Sequence, residues 1–104
     1  TRSPLAAEWA TKRRAALITI YKYPIKPGTD TIRMPRGARI LDIQVQHGEP
    51  VLWALVDTSR KQSDKELIIY GTGHEVKENP DDLRHLGTFQ IEGGTLVFHV
   101  FEEY

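Results

Sequence analysis

Gly71-Thr72-Gly73-His74 is the stretch whose residue types come closest to chemistry. Two glycines let a ligand approach the backbone, Thr72 offers a hydroxyl, and His74 can give or take a hydrogen bond. A small anionic ligand is what such a loop would hold. The stretch lacks the third glycine and following helix of a dinucleotide fingerprint, and it lacks the Gly-Lys-Ser/Thr of a phosphate-binding P-loop. The competing reading makes the two glycines a bulge that turns a strand at a barrel corner, with His74 at the surface.

The other histidines are His47 in a turn, His85 near a strand start, and His99 inside the last strand beside Val97 and Phe101. None has metal-ligand spacing: H-x-H, H-x-x-x-H and H-x-x-E-H are all absent from the sequence. His99, on an apolar strand face, reads first as a core or interface histidine and second as a ligand. Ser3, Ser59 and Ser63 are the only serines, and none sits at a strand-to-helix elbow. Asp42, Asp57 and Glu66 are the carboxylates near apolar runs, and a strand-end residue such as Asp57 ordinarily pairs with a neighbouring cation. No triad-like grouping emerges, so the expectation is a non-enzymatic protein with no cofactor and no metal.

The elements that would carry these residues are strands. Arg39–Asp57 reads as two strands around the break His47-Gly48-Glu49-Pro50. In the first, Leu41, Ile43 and Val45 alternate with polar residues; the second, Val51–Asp57, is almost wholly apolar. An alternating strand followed by one apolar on both faces implies an edge-side strand next to a central one. Leu17–Tyr23, Thr31–Met34, Glu66–Tyr70, His85–Ile91 and Thr95–Glu102 complete a set of seven. Glu92-Gly93-Gly94 is a hairpin turn, and the last strand, apolar on both faces, is expected to be central. Thr58–Lys65 reads as a mobile polar connection, and Asp81–Arg84 as one helical turn. Ser3 as N-cap and Pro4 at the first helical position start a short helix through Ala16 that docks through Leu5 and Trp9. The expected architecture is all-β: a mainly antiparallel seven-stranded sandwich or small barrel over residues 17–104, with a helical extension over residues 1–16.

At 104 residues the chain is one domain, and with no cysteine it carries no disulfide and no thiolate zinc site. No apolar run approaches the ~18–20 residues that span a bilayer, and no secretory signal is seen. The zero net charge is split: residues 1–39 hold nine Lys/Arg against Glu8 and Asp30, a net +7, while residues 40–104 are at −7. Such halves mix on one small surface or steer assembly of copies. Lys12-Arg13-Arg14 with Arg33, Arg36 and Arg39 would suit a phosphate backbone, but the acidic remainder and the missing motifs argue against nucleic acid.

Six blocks of the sequence, in order, resemble a small domain family of bacteriophage and prophage proteins. They are Ile20-Tyr21-Lys22-Tyr23-Pro24, Met34–Leu41, Leu52-Trp53-Ala54-Leu55-Val56-Asp57, Gly71–His74, Gly87-Thr88-Phe89-Gln90 and Phe98–Glu102. The resemblance covers about residues 18–102 and leaves the helical extension outside. That family is a domain of unknown function, so the resemblance implies a phage-type origin and no activity.

Two strands apolar on both faces need cover on both sides. The expectation is a binding module that forms a homo-oligomer, with Trp9, Trp53, Phe98 and Phe101 as interface anchors and Gly71, Thr72, Gly73 and His74 as the ligand loop. A host protein, a virion neighbour or a small anion is the expected partner, and the host cytoplasm or the virion the expected place. The alternative is a structural component of virion assembly.

Overall fold

The computed structural model describes residues 16–26 and 30–104. Eight strands are formed: β1 (Ile18–Pro24), β2 (Thr31–Pro35), β3 (Arg39–Gln46), β4 (Glu49–Asp57), β5 (Gln62–Glu66), β6 (Ile68–Gly71), β7 (Leu83–Ile91) and β8 (Leu96–Glu103). All pairing is antiparallel, in a sheet ordered β1-β4-β3, a ribbon β2-β5 and a sheet ordered β6-β8-β7. The sheets do not close into a barrel. β4 and β8, the two strands apolar on both faces, are each the middle strand of a three-stranded sheet.

Eight strands rather than seven arise because Gln62–Glu66 is a strand and not a mobile connection. It pairs along its whole length with β2, from Pro35 opposite Gln62 to Thr31 opposite Glu66. Backbone bonding and charge hold this polar segment: Arg33 Nη1 meets Asp64 Oδ1 at 3.1 Å, and Lys65 pairs with Glu102 of β8. Of the helix expected over residues 1–16, residues 1–15 fall outside the described residues. Ala16 and Leu17 are not helical, and the helical turns among the described residues are two 3-10 turns, Pro80–Asp82 and Glu92–Gly94.

One core joins the three sheets. Leu52, Ala54 and Val56 of β4 are fully buried with Ile43 of β3, Ile32 and Met34 of β2, and Phe89 and Val100 of β7 and β8. The β3 register shifts between Ile40 and Asp42, so that Leu41 is a bulge residue, 47% exposed. Of the expected row Leu41, Ile43 and Val45, Leu41 is thus displaced, while Ile43 opposite Leu52 stays in the core and Ile40 opposite Ala54 packs against it in place of Leu41. The β3–β4 connection is the two-residue loop His47-Gly48 with φ of 53° and 78°, the positive pair that a type I′ hairpin requires.

At the entry to β1, Asp57 is buried and its Oδ1 accepts hydrogen bonds from Leu17 N–H (3.0 Å), Ser59 N–H (3.0 Å) and the Ser59 hydroxyl (2.6 Å). One carboxylate therefore ties the start of β1 to the β4–β5 turn. These bonds, led by the Ser59 hydroxyl, hold the carboxyl below its ordinary range, and the nearby Arg60 adds to the effect.

Candidate functional site

Register alternation places Ile68 and Tyr70 of β6, His99 and Phe101 of β8, and Thr88 of β7 on the outer face of the β6-β8-β7 sheet, opposite the core. Tyr70, His99 and Thr88 stand directly opposite one another across the three strands. A continuous polar row results. Thr72 Oγ1 lies 2.7 Å from His99 Nε2, Thr88 Oγ1 lies 3.0 Å from His99 Nδ1, and His85 Nε2 lies 3.0 Å from Thr88 Oγ1. Both nitrogens of His99 are thus engaged by threonine hydroxyls, and Thr88 bridges two imidazoles. The His85 ring packs against Phe101 with centroids 5.3 Å apart. Beyond Thr72 the chain folds back to Tyr70, whose hydroxyl donates to Glu78 Oε1 at 2.5 Å and accepts from Lys77 N–H at 3.2 Å. The bond to Glu78 raises the Tyr70 pKa, and burial and the charges of Glu78 and Glu75 act in the same direction.

Of the four residues read as a ligand loop, Thr72 alone joins this row. Gly71 ends β6, and a turn follows in which His74 N–H donates to Gly71 O at 3.1 Å and Gly73 takes φ 89°. Thr72 N–H is committed to Val97 O at 3.1 Å. The His74 ring lies over Gly71: a β-carbon there would stand 2.8 Å from His74 Cε1. The glycines thus serve a turn and a ring contact. The polar side chains joined on this face are those of Thr72, His85, Thr88 and His99. Local sequence leaves His85 and His99 unconnected, and their union depends on Thr88 and on the shift in the β7 register between His85 and Gly87.

The expected apolar anchors separate. Phe98 faces inward and stacks on Phe89 with centroids 5.5 Å apart. Phe101 is half-buried on the outer face beside His85. Trp53 is half-buried on the outer face of the β1-β4-β3 sheet, in the register row with Lys22 and Asp42, and Trp9 lies outside the described residues. That same face carries Ile18 and Ile20, 42% and 54% exposed, with half-buried Leu55 between them and β3.

Ser59 gives its hydroxyl to Asp57 in a turn clamp. Among the described residues no group of three or more His, Cys, Asp or Glu side chains is placed to hold a metal ion. No helix among them is long and apolar enough to cross a membrane.

Neither the curated proteins nor the solved structures contain a match to the chain. A family model described as a domain of unknown function (DUF7352) matches residues 17–104, a span that contains every strand described above and all six blocks quoted from the sequence, and the chain belongs to that family.

Proposed function

We propose that this protein is a small non-enzymatic binding module of phage or prophage type that works as a self-associated assembly. The observation that carries the reading is the outer face of the β1-β4-β3 sheet, where Ile18 and Ile20 stand about half exposed beside Leu55 and Trp53. Apolar side chains gathered on one sheet face mark a surface that meets a partner. In this reading the module acts in the host cytoplasm on a host factor; its role as a component of virion assembly is the alternative.

Light scattering of the purified protein at low and high salt tests the proposal. Association through apolar surface keeps its mass at high salt, whereas assembly guided by the +7 and −7 halves weakens as salt screens them. A monomer at both salt concentrations overturns self-association.

A second reading rests on a separate observation, the row Thr72–His99–Thr88–His85. With both rings neutral, the three bonds of the row use three of its four polar hydrogens. The one left over, on Thr72, Thr88 or His85 according to tautomer, can donate to a small anion such as inorganic phosphate. The committed amides of Thr72 and His74 move this reading from the glycine backbone to the side chains. Histidine chemical shifts that move on adding phosphate support it, and shifts that stay in place count against it.

A further inference from the structure

We infer that β1 pairs with β1 of a second copy, antiparallel and across a twofold axis at Ile20, joining two β1-β4-β3 sheets into one continuous sheet. This rests on the self-association reading above and assigns its surface.

The hydrogen-bonding parity of β1 can be derived. Its register with β4, Ile18 opposite Asp57 through Pro24 opposite Val51, extends to Leu17 opposite Thr58 and to Ile25 opposite Pro50. At both ends the bonds are formed: Thr58 N–H donates to Leu17 O at 3.0 Å, and Ile25 N–H donates to Pro50 O at 2.9 Å. In an antiparallel ladder bonded and non-bonded pairs alternate, so Leu17, Thr19, Tyr21, Tyr23 and Ile25 turn their backbone groups toward β4. Ile18, Ile20 and Lys22 turn theirs away, and among the described residues no strand takes them up.

Natural edges are blunted by bulges, charges, proline or a covering element. The β1 register has no bulge, and Pro24 stands only at its last position. Lys22, the one charge on β1, gives its amine to Gln46 Oε1 at 2.7 Å. The other edges among the described residues differ: β3 lies against β7, β2 has five residues with Arg33 at its centre and Pro35 at its end, β5 is polar throughout, and β6 is four residues long. Among the described residues β1 is the long apolar edge left open.

A twofold axis at Ile20 sets Ile20 opposite its own copy and Ile18 opposite Lys22 of the second copy. All three outward donors then find carbonyls, and all three outward carbonyls find donors. Pro24, which has no N–H, falls outside these pairs, and the two lysines are not set face to face. Shifting the axis to Tyr21 would place Pro24 opposite Ile18 and forfeit a bond at each end. The axis stands perpendicular to the sheet, so the apolar outer faces of the two copies become one surface, with Ile20 against Ile20 at its centre.

The natural chain lacks cysteine, so a single introduced thiol reports the register. In a bonded antiparallel pair, opposed Cα atoms lie ~5.5 Å apart, within the reach of a disulfide. The two copies of residue 18, by contrast, would lie about 13 Å apart along the strands. Ile20→Cys is expected to give a disulfide-linked dimer on mild oxidation, and Ile18→Cys to run as single chains under denaturing conditions without reductant. Ile20→Lys, which opposes like charges across the axis, is expected to sediment as a monomer that still unfolds in one cooperative transition, at a melting temperature lowered by the lost association. A parent protein that sediments as a monomer overturns self-association and this pairing together. A parent dimer that survives Ile20→Lys, or that cross-links equally through residues 18 and 20, overturns the β1 pairing and leaves self-association standing.

Discussion

Gly87 of β7 faces Ile43 of β3 with no room for a side chain: a β-carbon at Gly87 would lie 2.9 Å from Ile43 Cβ. This contact sets how closely the two three-stranded sheets approach, because β3 and β7 are the strands at which they meet. The clashing atom is a Cβ, which no rotamer change can move. Gly87→Ala would gain ~0.4–1 kcal/mol from a stiffer unfolded chain. Overpacking a buried contact costs more, about 1–3 kcal/mol. Gly87→Ala is therefore expected to lower the urea midpoint with little change in slope, and an alanine variant as stable as the parent would show that the sheets part freely.

Asp57 predicts an acid limit to stability. Its carboxyl is more acidic in the folded chain than its reference value of 3.8, chiefly through the Ser59 hydroxyl, with help from the amides of Leu17 and Ser59. As pH falls the unfolded chain takes up this proton first, so the stabilisation is complete above that value and disappears as pH passes through the lower folded one. Asp57→Asn is expected to melt earlier at neutral pH and to show a shallower fall in melting temperature below about pH 4. Parallel melting curves for the two proteins across the acid range would assign the clamp no role.

Legibility in the sequence followed apolar pattern. β4 and β8 could be read as central because Val51–Asp57 and Leu96–Phe101 carry apolar residues at both parities, which only a strand buried on two sides requires. The His47-Gly48 and Glu92-Gly93-Gly94 turns declared themselves by residue type. β5 did not, because Gln62-Ser63-Asp64-Lys65-Glu66 has no apolar residue, and its strand conformation comes from the partner β2 rather than from its own side chains. Leu41 misled for a related reason: a bulge spends one residue without changing composition, so the alternation looks intact while its phase slips. The Thr72–His99–Thr88–His85 row needed register across three strands, which no local pattern encodes.

Tyr70 and Glu78 predict a tyrosine that titrates late. Glu78 accepts the phenolic proton at 2.5 Å and thereby favours the neutral phenol, although the Lys77 amide acts against it. A group whose folded pKa lies above its ordinary 10.0 lends stability below that pH and loses it as pH rises through the folded value. Tyr23 also titrates late, first through burial and then through the neighbouring Tyr21. The measurement is therefore a difference in tyrosinate absorbance between the parent and Glu78→Gln. The variant should ionise one tyrosine earlier in the alkaline range, and superimposable titrations would place the Glu78 contact outside the solution structure.

Thr88 imposes a rule on the two histidines it bridges. A hydroxyl has one proton, so it cannot donate both to His85 Nε2 and to His99 Nδ1. At least one ring must donate to Thr88 Oγ1, which forbids the state with His85 protonated on Nδ1 and His99 protonated on Nε2. If Thr88 donates to His99, that ring carries its proton on Nε2 and donates to Thr72, while His85 donates through Nε2. If Thr88 donates to His85, both rings carry their protons on Nδ1. If both rings donate to Thr88, His85 is protonated on Nε2 and His99 on Nδ1. Nitrogen chemical shifts of the two imidazoles distinguish these tautomers at neutral pH. The forbidden pair should be missing in the parent and permitted in Thr88→Val, where no hydroxyl links the rings. Its presence in the parent would mean that the row is broken in solution, and the anion reading that depends on the row would fall with it.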